Sequence, residues 1–102
     1  MAEKISHIGE QAYCIWCKNV RTILELLGIT HAEFAQMLGV KRSMVSTMLN
    51  RPDHALTVIQ FHATMYALDK RISEEDSKRL DVTLARMLWV EIDSFVKKNG
   101  LH

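Results

Sequence analysis

The sequence has few cysteines and no long apolar segment. Its two cysteines, Cys14 and Cys17, are too few for the disulfide framework that stabilises small secreted proteins, so we do not expect folding to depend on disulfides. No apolar run approaches the roughly 18 residues that a membrane-spanning helix needs, and the first residues contain no apolar core of the signal-peptide type. We therefore expect a cytoplasmic protein that makes no membrane contact.

A large excess of charge of either sign is also missing. The chain has 13 Lys and Arg against 12 Asp and Glu, which gives a formal net charge of +1 at pH 7. Residues 31–72 are mildly basic, with five Lys and Arg against three Asp and Glu. Nucleic-acid-binding proteins commonly carry much larger basic excesses, so charge alone does not identify the partner.

Sequence motifs for catalysis and metal binding are absent too. No pattern links a nucleophile to a base, and there is no glycine-rich phosphate loop, so we expect neither enzyme activity nor a cofactor. Cys14 and Cys17 form a lone CxxC pair and the five histidines are scattered, so we expect no metal site. The simplest interpretation makes both cysteines small, half-buried apolar residues. A redox pair is the alternative, because sulfurs three residues apart lie on one side of a helix.

The sequence does contain apolar residues at helical spacing along its whole length. With 48% hydrophobic residues and a single proline in 102 residues, it predicts one compact all-α domain of about five helices. An apolar stripe over residues 13–27 predicts the first helix, and Gly28 follows where a helix end favours glycine. Thr30 and Glu33 form a capping-box pattern, which predicts a second helix over about residues 31–38.

A third short helix is predicted over about residues 42–49, because the residue before Pro52 avoids the helical conformation. Gly39 is expected to supply a positive φ for the tight turn before it, and Ala35 to let two steeply crossing helices approach closely. The residues expected on the buried side are Phe34, Leu38, Val40, Val45 and Leu49, and those expected to be exposed are Arg42, Ser43, Ser46 and Thr47.

The rest of the chain predicts two further helices. Thr57 is the expected cap of the fourth helix, whose residues are expected to lie largely in the core: Val58, Phe61, Met65 and Leu68, with Ile59 and Tyr66 beside them. Ser73 and the three acidic residues after it predict the start of a last helix of roughly 24 residues, which ends near Gly100. Such a helix is about 36 Å long, more than the core of a small domain needs, so we expect it to pair with another chain.

Over about residues 20–68, this arrangement resembles the Cro and phage-repressor family of helix-turn-helix domains, also called XRE-like. The residues that carry the resemblance are Gly28-Ile29-Thr30, Glu33-Phe34-Ala35, Leu38-Gly39-Val40, Ser43, Val45-Ser46, Leu49-Asn50 and Ala67-Leu68. The resemblance implies a lambda-repressor-like helical bundle. Residues 1–72 would form the DNA-binding domain, and residues 73–102 a C-terminal dimerisation helix packed on it. The third helix would enter the major groove while the second crosses the DNA backbone.

Carried over by position, the resemblance assigns contacts with double-stranded DNA. The base-contacting residues are Arg42, Ser43, Ser46 and Thr47, and the phosphate-contacting residues are Thr30, His31, Lys41, Asn50 and Arg51. Arg42 is favoured for specificity, because a guanidinium group donates two hydrogen bonds to guanine. The sequence departs from the family pattern at His31, where glutamine is frequent, and at Arg51, where glycine often follows the asparagine.

The function implied is that of a sequence-specific regulator, most simply a repressor that binds an inverted-repeat operator as a homodimer. The dimer interface is predicted on the last helix at Leu84, Leu88, Trp89, Ile92 and Phe95. The alternative is a monomer in which this helix folds back over the domain. A second interpretation keeps the fold but replaces DNA by a protein partner, such as a toxin or a host factor, and the near-neutral charge and the methionines of the second and third helices favour it.

Overall fold

Five α-helices form the computed structural model, which describes residues 6–99. They are α1 (Glu10–Leu27), α2 (His31–Leu38), α3 (Arg42–Leu49), α4 (Val58–Glu74) and α5 (Leu80–Lys98). Within residues 6–99 there is no β-strand, and extended pairing is limited to one isolated antiparallel bridge between His7 and Thr57. The prediction of an all-α fold with about five helices is therefore confirmed.

The C-terminal ends of α1 and α2 and the N-terminal ends of α2 and α4 form as the local sequence predicts. Gly28 and Gly39 follow α1 and α2 with φ angles of 66° and 69°, in the left-handed region that glycine adopts without steric cost. Thr30 Oγ1 accepts a hydrogen bond from the Glu33 backbone N–H at 3.1 Å, and Thr57 Oγ1 accepts one from the Gln60 N–H at 3.0 Å. These capping boxes satisfy N–H groups that the first turn of a helix leaves without partners.

The core forms where α1 packs against α5, with α4 packed on α5 and the pair α2 and α3 packed on α4 through α2. Trp16 is completely buried, and its Nε1–H donates to Thr64 Oγ1 at 2.9 Å, which satisfies both polar groups inside the core. The largest fully buried side chains come from several elements: Trp16, Phe34, Ile8, Ile23, Leu56, Leu68 and Ile92. One continuous hydrophobic cluster therefore joins all five helices.

The start of the last helix differs from the prediction. Residues 73 and 74 belong to α4, and α5 begins at Leu80. The apolar face of α4 continues through Leu68 to the buried Ile72, and Arg71 Nε forms an ion pair with Glu75 Oε1 at 2.9 Å, so the helix is favoured beyond residue 72. The predicted boundary after residue 72 thus falls inside α4. Gly100 lies outside the described residues.

The shorter α5 removes one argument for pairing with another chain. It contains 19 residues instead of roughly 24, which corresponds to about 28 Å instead of 36 Å. Its length is close to that of α1, which has 18 residues. Helix length alone therefore no longer indicates a partner.

Three residues expected in or beside the core are exposed. Val40 is 39% exposed because it lies in the turn before α3 and not on a helix face that packs inward. Ile59 and Tyr66 are 82% and 72% exposed because they lie on the side of α4 opposite its buried residues. The apolar residues of α4 therefore form two faces, of which one packs into the core.

Candidate nucleic-acid interface

The residues predicted to contact bases lie together on the outer side of α3. Arg42, Ser43 and Thr47 are exposed and Ser46 is half-buried, while α3 packs inward through the buried residues Val45, Met48 and Leu49. Lys41 is also exposed and is the N-cap residue, so two cations lie at the start of the helix. The Thr47 hydroxyl donates to the Ser43 carbonyl one turn earlier in α3, at 2.9 Å, and this hydrogen bond orients the Thr47 side chain.

The turn between α2 and α3 has the geometry that its small residues predict. The Gly39 N–H donates to the Gln36 carbonyl at 3.2 Å, and the Val40 N–H donates to the Ala35 carbonyl at 3.0 Å, which closes the end of α2. A Cβ at Gly39 would meet no atom within 4 Å, so glycine is required by the positive φ and not by space. Ala35 is buried at 3% exposure, and because its side chain is a single methyl group, α3 can pack closely against α2.

The C-terminal end of α3 is held by three side chains of α1, which we call the α1 clamp: Tyr13, Cys17 and Arg21. The Tyr13 hydroxyl donates to the Met48 carbonyl at 2.7 Å. The Cys17 thiol donates to the Leu49 carbonyl at 3.2 Å, and an Arg21 guanidinium N–H donates to the same carbonyl at 2.7 Å. Because successive clamp residues are four apart, they lie on one face of α1.

Asn50 completes the hydrogen bonding at this end of α3. Its side-chain N–H donates to the Ser46 carbonyl at 2.9 Å, and its backbone N–H donates to the Thr47 carbonyl at 3.2 Å. Its side-chain oxygen accepts from Arg21 at 2.7 Å. The last four carbonyls of α3, which have no partner within the helix, are therefore all satisfied. Hydrogen bonds therefore join this end of α3 to α1.

Sequence reasoning missed the α1 clamp as a unit. The helical spacing places Tyr13 and Cys17 in the apolar stripe of the first helix and assigns Arg21 to no site. The signal in the sequence is three residues with hydrogen-bond donors at four-residue spacing, two of them within that stripe and Arg21 beside it. Such spacing shows that side chains share a face, but it does not reveal which carbonyls they meet. Cys17 is half-buried against the core, as predicted, and its thiol also donates a hydrogen bond, whereas Cys14 is exposed, so the prediction is wrong for Cys14.

Three of the predicted phosphate-contacting residues already have partners within the chain. Asn50 binds Arg21 and the end of α3, and the Thr30 hydroxyl belongs to the α2 capping box. Arg51 forms a bidentate ion pair with Asp53, with distances of 2.9 Å from Nε to Oδ1 and 2.7 Å from Nη2 to Oδ2. The hydrogen bond from Arg51 holds the pKa of Asp53 below its usual value. Arg51 is thus locally neutralised.

The other two predicted phosphate-contacting residues lie at helix starts. His31 is half-buried in the first turn of α2, and Lys41 is exposed before α3. Backbone N–H groups at such positions favour anions. Lys41 and His31 therefore lie where an anion is favoured, whereas Asn50 and Arg51 would have to exchange internal partners before contacting a phosphate.

The predicted dimer interface needs correction. Ile92 is completely buried in the chain's own core and is not available to a second chain, so this assignment is wrong. Leu88, Trp89 and Phe95 are half-buried against the same core, and Trp89 Nε1–H donates to the Met65 carbonyl at 2.9 Å. The broad apolar face of α5 packs on α1 and α4 of its own chain. Leu84, 40% exposed, is the one predicted interface residue that lies open.

No family model, curated protein or solved structure matches this chain. Within residues 6–99, no group of three or more His, Cys, Asp or Glu side chains has an arrangement that holds a metal ion. None of the helices in the described part of the chain has the length and apolar character that crossing a membrane requires.

Proposed function

We propose that the protein is a cytoplasmic, sequence-specific DNA-binding regulator of the Cro and phage-repressor (XRE-like) helix-turn-helix type. Its simplest action is that of a repressor, which occludes a promoter by binding an inverted-repeat operator as a dimer. The observation that carries the proposal is the outer face of α3. There, Arg42, Ser43 and Thr47 project from a short helix that follows a tight glycine turn.

The fixation of α3 supports this proposal. A helix that reads base edges has to present its side chains in a defined orientation, because a bidentate hydrogen bond tolerates little displacement. The α1 clamp and Asn50 satisfy the carbonyl end of α3, and α2 packs beside it. The N-terminal half of α3, with Arg42 in its first turn and Lys41 as its N-cap residue, is left to face a ligand.

Arg42 is the residue on which specificity depends most in this proposal. Its guanidinium is exposed in the first turn of α3, where a bidentate contact with guanine O6 and N7 requires no rearrangement of the helix. Replacing it with alanine removes that contact and is expected to weaken binding by about 1–3 kcal/mol while relaxing the preference at one base pair.

The experiment begins with selection of bound sequences from a random pool of duplex DNA. Affinities of the parent and of Arg42→Ala are then measured for the selected duplex and a scrambled one, with Lys70→Ala on α4 as a control that also removes one exposed cation. We expect Arg42→Ala to lose discrimination and Lys70→Ala to keep it. Selection that enriches no sequence would refute the function, whereas equal discrimination by Arg42→Ala would refute only the role of Arg42.

A second candidate function is a protein-interaction module of the same fold, such as an antitoxin-like protein or an inhibitor of a host factor. The exposed Val40 and Met44, at 39% and 42%, favour it, because they border a shallow groove together with Lys41, Ser43 and Thr47. Salt dependence separates the two functions. Phosphate contacts lower log affinity with log salt by about 0.9 per contact, while an apolar protein interface responds weakly.

A further inference from the structure

A shallow apolar hollow, which we call the α3 hollow, lies on the outer side of α3. Its apolar walls are Val40, in the turn before the helix, and Met44, in the first helical turn, which are 39% and 42% exposed. Lys41, Ser43 and Thr47 line the rest of it. Adjoining exposed apolar side chains, unlike single ones, indicate a surface that a ligand covers.

Thr47 offers a ligand in the α3 hollow a methyl group but no hydroxyl donor. Its hydroxyl donates to the Ser43 carbonyl at 2.9 Å, one turn earlier in the helix. A threonine hydroxyl has a single O–H, so it cannot donate to a ligand while this hydrogen bond is made. The contact that Thr47 brings to a base edge is therefore chiefly apolar, which extends the character of Val40 and Met44.

The charges around the α3 hollow indicate a polyanion. Lys41 and Arg42 are exposed, and residues 39–50 contain no Asp or Glu. The nearest acidic residues along the chain are already engaged, because Glu33 closes the α2 capping box and Asp53 forms an ion pair. The outer face of α3 thus combines cations with an apolar centre. DNA matches this combination, because phosphates bind cations while base edges make the inner contacts.

Thymine is the base whose major-groove edge fits the α3 hollow. It presents a C5 methyl group beside the O4 acceptor, whereas cytosine presents an N4 donor and no methyl group. Adenine and guanine also have no methyl group on this edge. The exposed Ser43 hydroxyl borders the hollow and can donate to O4, while Val40, Met44 and Thr47 supply apolar contacts for the methyl group.

We propose that the α3 hollow binds the C5 methyl group of a thymine in the major groove. The inference rests on the proposed function and deepens it, because it adds Val40 and Met44 to the residues that determine specificity. It requires a thymine in each half-site, in addition to the guanine assigned to Arg42. It also assigns the exposed Val40 and Met44 to DNA and not to a protein partner.

The test uses the duplex obtained by selection from the random pool. Each thymine position is replaced in turn by deoxyuridine in both half-sites, which removes only the methyl group. At the position that meets the α3 hollow, losing one buried methyl group should weaken binding about fourfold per half-site, or about 15-fold in total. At the other thymine positions we expect changes below about twofold.

Substitutions of Met44 show whether that methyl group meets the α3 hollow. Met44→Gln keeps the length of the side chain but not its apolar character, and it should reduce the deoxyuridine effect at this position to below about twofold. Met44→Leu stays apolar and should retain the effect. Met87→Gln on α5 is the matched control, because Met87 is also an exposed methionine, and it should leave the effect unchanged. Far-UV circular dichroism verifies that all three variants are folded.

The outcomes separate this inference from the proposed function. If the selected duplex binds but no deoxyuridine replacement weakens it, or if Met44→Gln keeps the full effect, the inference is overturned and the proposed function stands. If Met44→Gln also leaves every DNA affinity unchanged, the α3 hollow is left to the protein partner of the second candidate function. A pool from which no sequence is enriched refutes the proposed function, and this inference with it.

Discussion

The hydroxyl of Tyr13 offers the sharpest test of the α1 clamp. The ring is 3% exposed, and the hydroxyl donates to the Met48 carbonyl at 2.7 Å and accepts from the Arg51 N–H at 3.1 Å. Tyr13→Phe removes one oxygen and keeps the packing of the ring. Leaving buried groups without hydrogen-bond partners costs about 1–3 kcal/mol each, and partial relaxation reduces the sum, so we expect a loss of about 2 kcal/mol.

Urea and thermal unfolding measure this loss. In a domain of this size, about 2 kcal/mol corresponds to a decrease in Tm of about 10 °C, with an unchanged dependence of the free energy of unfolding on urea. Tyr66→Phe is the matched control, because Tyr66 is 72% exposed and its loss of a hydroxyl should change stability by less than about 0.5 kcal/mol. Equal stabilities of the two variants would refute the reasoning.

The same hydroxyl predicts a pH effect. Burial is the main cause that raises the pKa of Tyr13 above its usual value near 10. A raised pKa means that the unfolded chain loses this proton first, so the stabilisation is complete below pH 10 and is lost as the pH rises through the folded-state pKa. The stability difference between the parent and Tyr13→Phe should therefore shrink above pH 10. If the stability difference between the parent and Tyr13→Phe stayed constant up to the pH at which the protein unfolds in alkali, the raised pKa of Tyr13 would be contradicted.

Three further substitutions are tested by urea unfolding. Gly39→Ala should cost about 1–2 kcal/mol, since φ is 69° but no atom lies within 4 Å of the new Cβ; a much larger loss would indicate a clash. Thr64→Val removes the acceptor of the buried Trp16 N–H and should cost about 1–3 kcal/mol, whereas a neutral result would mean that this hydrogen bond adds nothing. Thr57→Ala should cost about 1 kcal/mol through the loss of the α4 cap, and Thr57→Ser, which keeps the hydroxyl, should restore most of it.

Local signals in the sequence are sufficient to predict helices α1, α2 and α3. Glycine at positions 28 and 39 adopts the left-handed conformation, and Thr30 with Glu33 forms the predicted capping box. These features depend on residues within a few positions of one another, so spacing reveals them. The start of α5 was misplaced because Glu74, Glu75 and Asp76 suit a helix start, while the long-range burial of Ile72 and the Arg71–Glu75 pair extend α4 through that region.

The sequence by itself determined the all-α class, the helix ends that glycine and threonine set, and the exposed face of α3 with Arg42, Ser43 and Thr47. Only the tertiary structure decided how each apolar helix divides its faces. Ile92 is buried in the core while Leu80 and Met87 are exposed, although all three belong to one amphipathic helix. It also decided that Tyr13 and Arg21 close the end of α3. The physical reason is that these two contacts join residues 35 and 28 positions apart, and which residues meet depends on the relative orientation of the helices, which spacing alone leaves open.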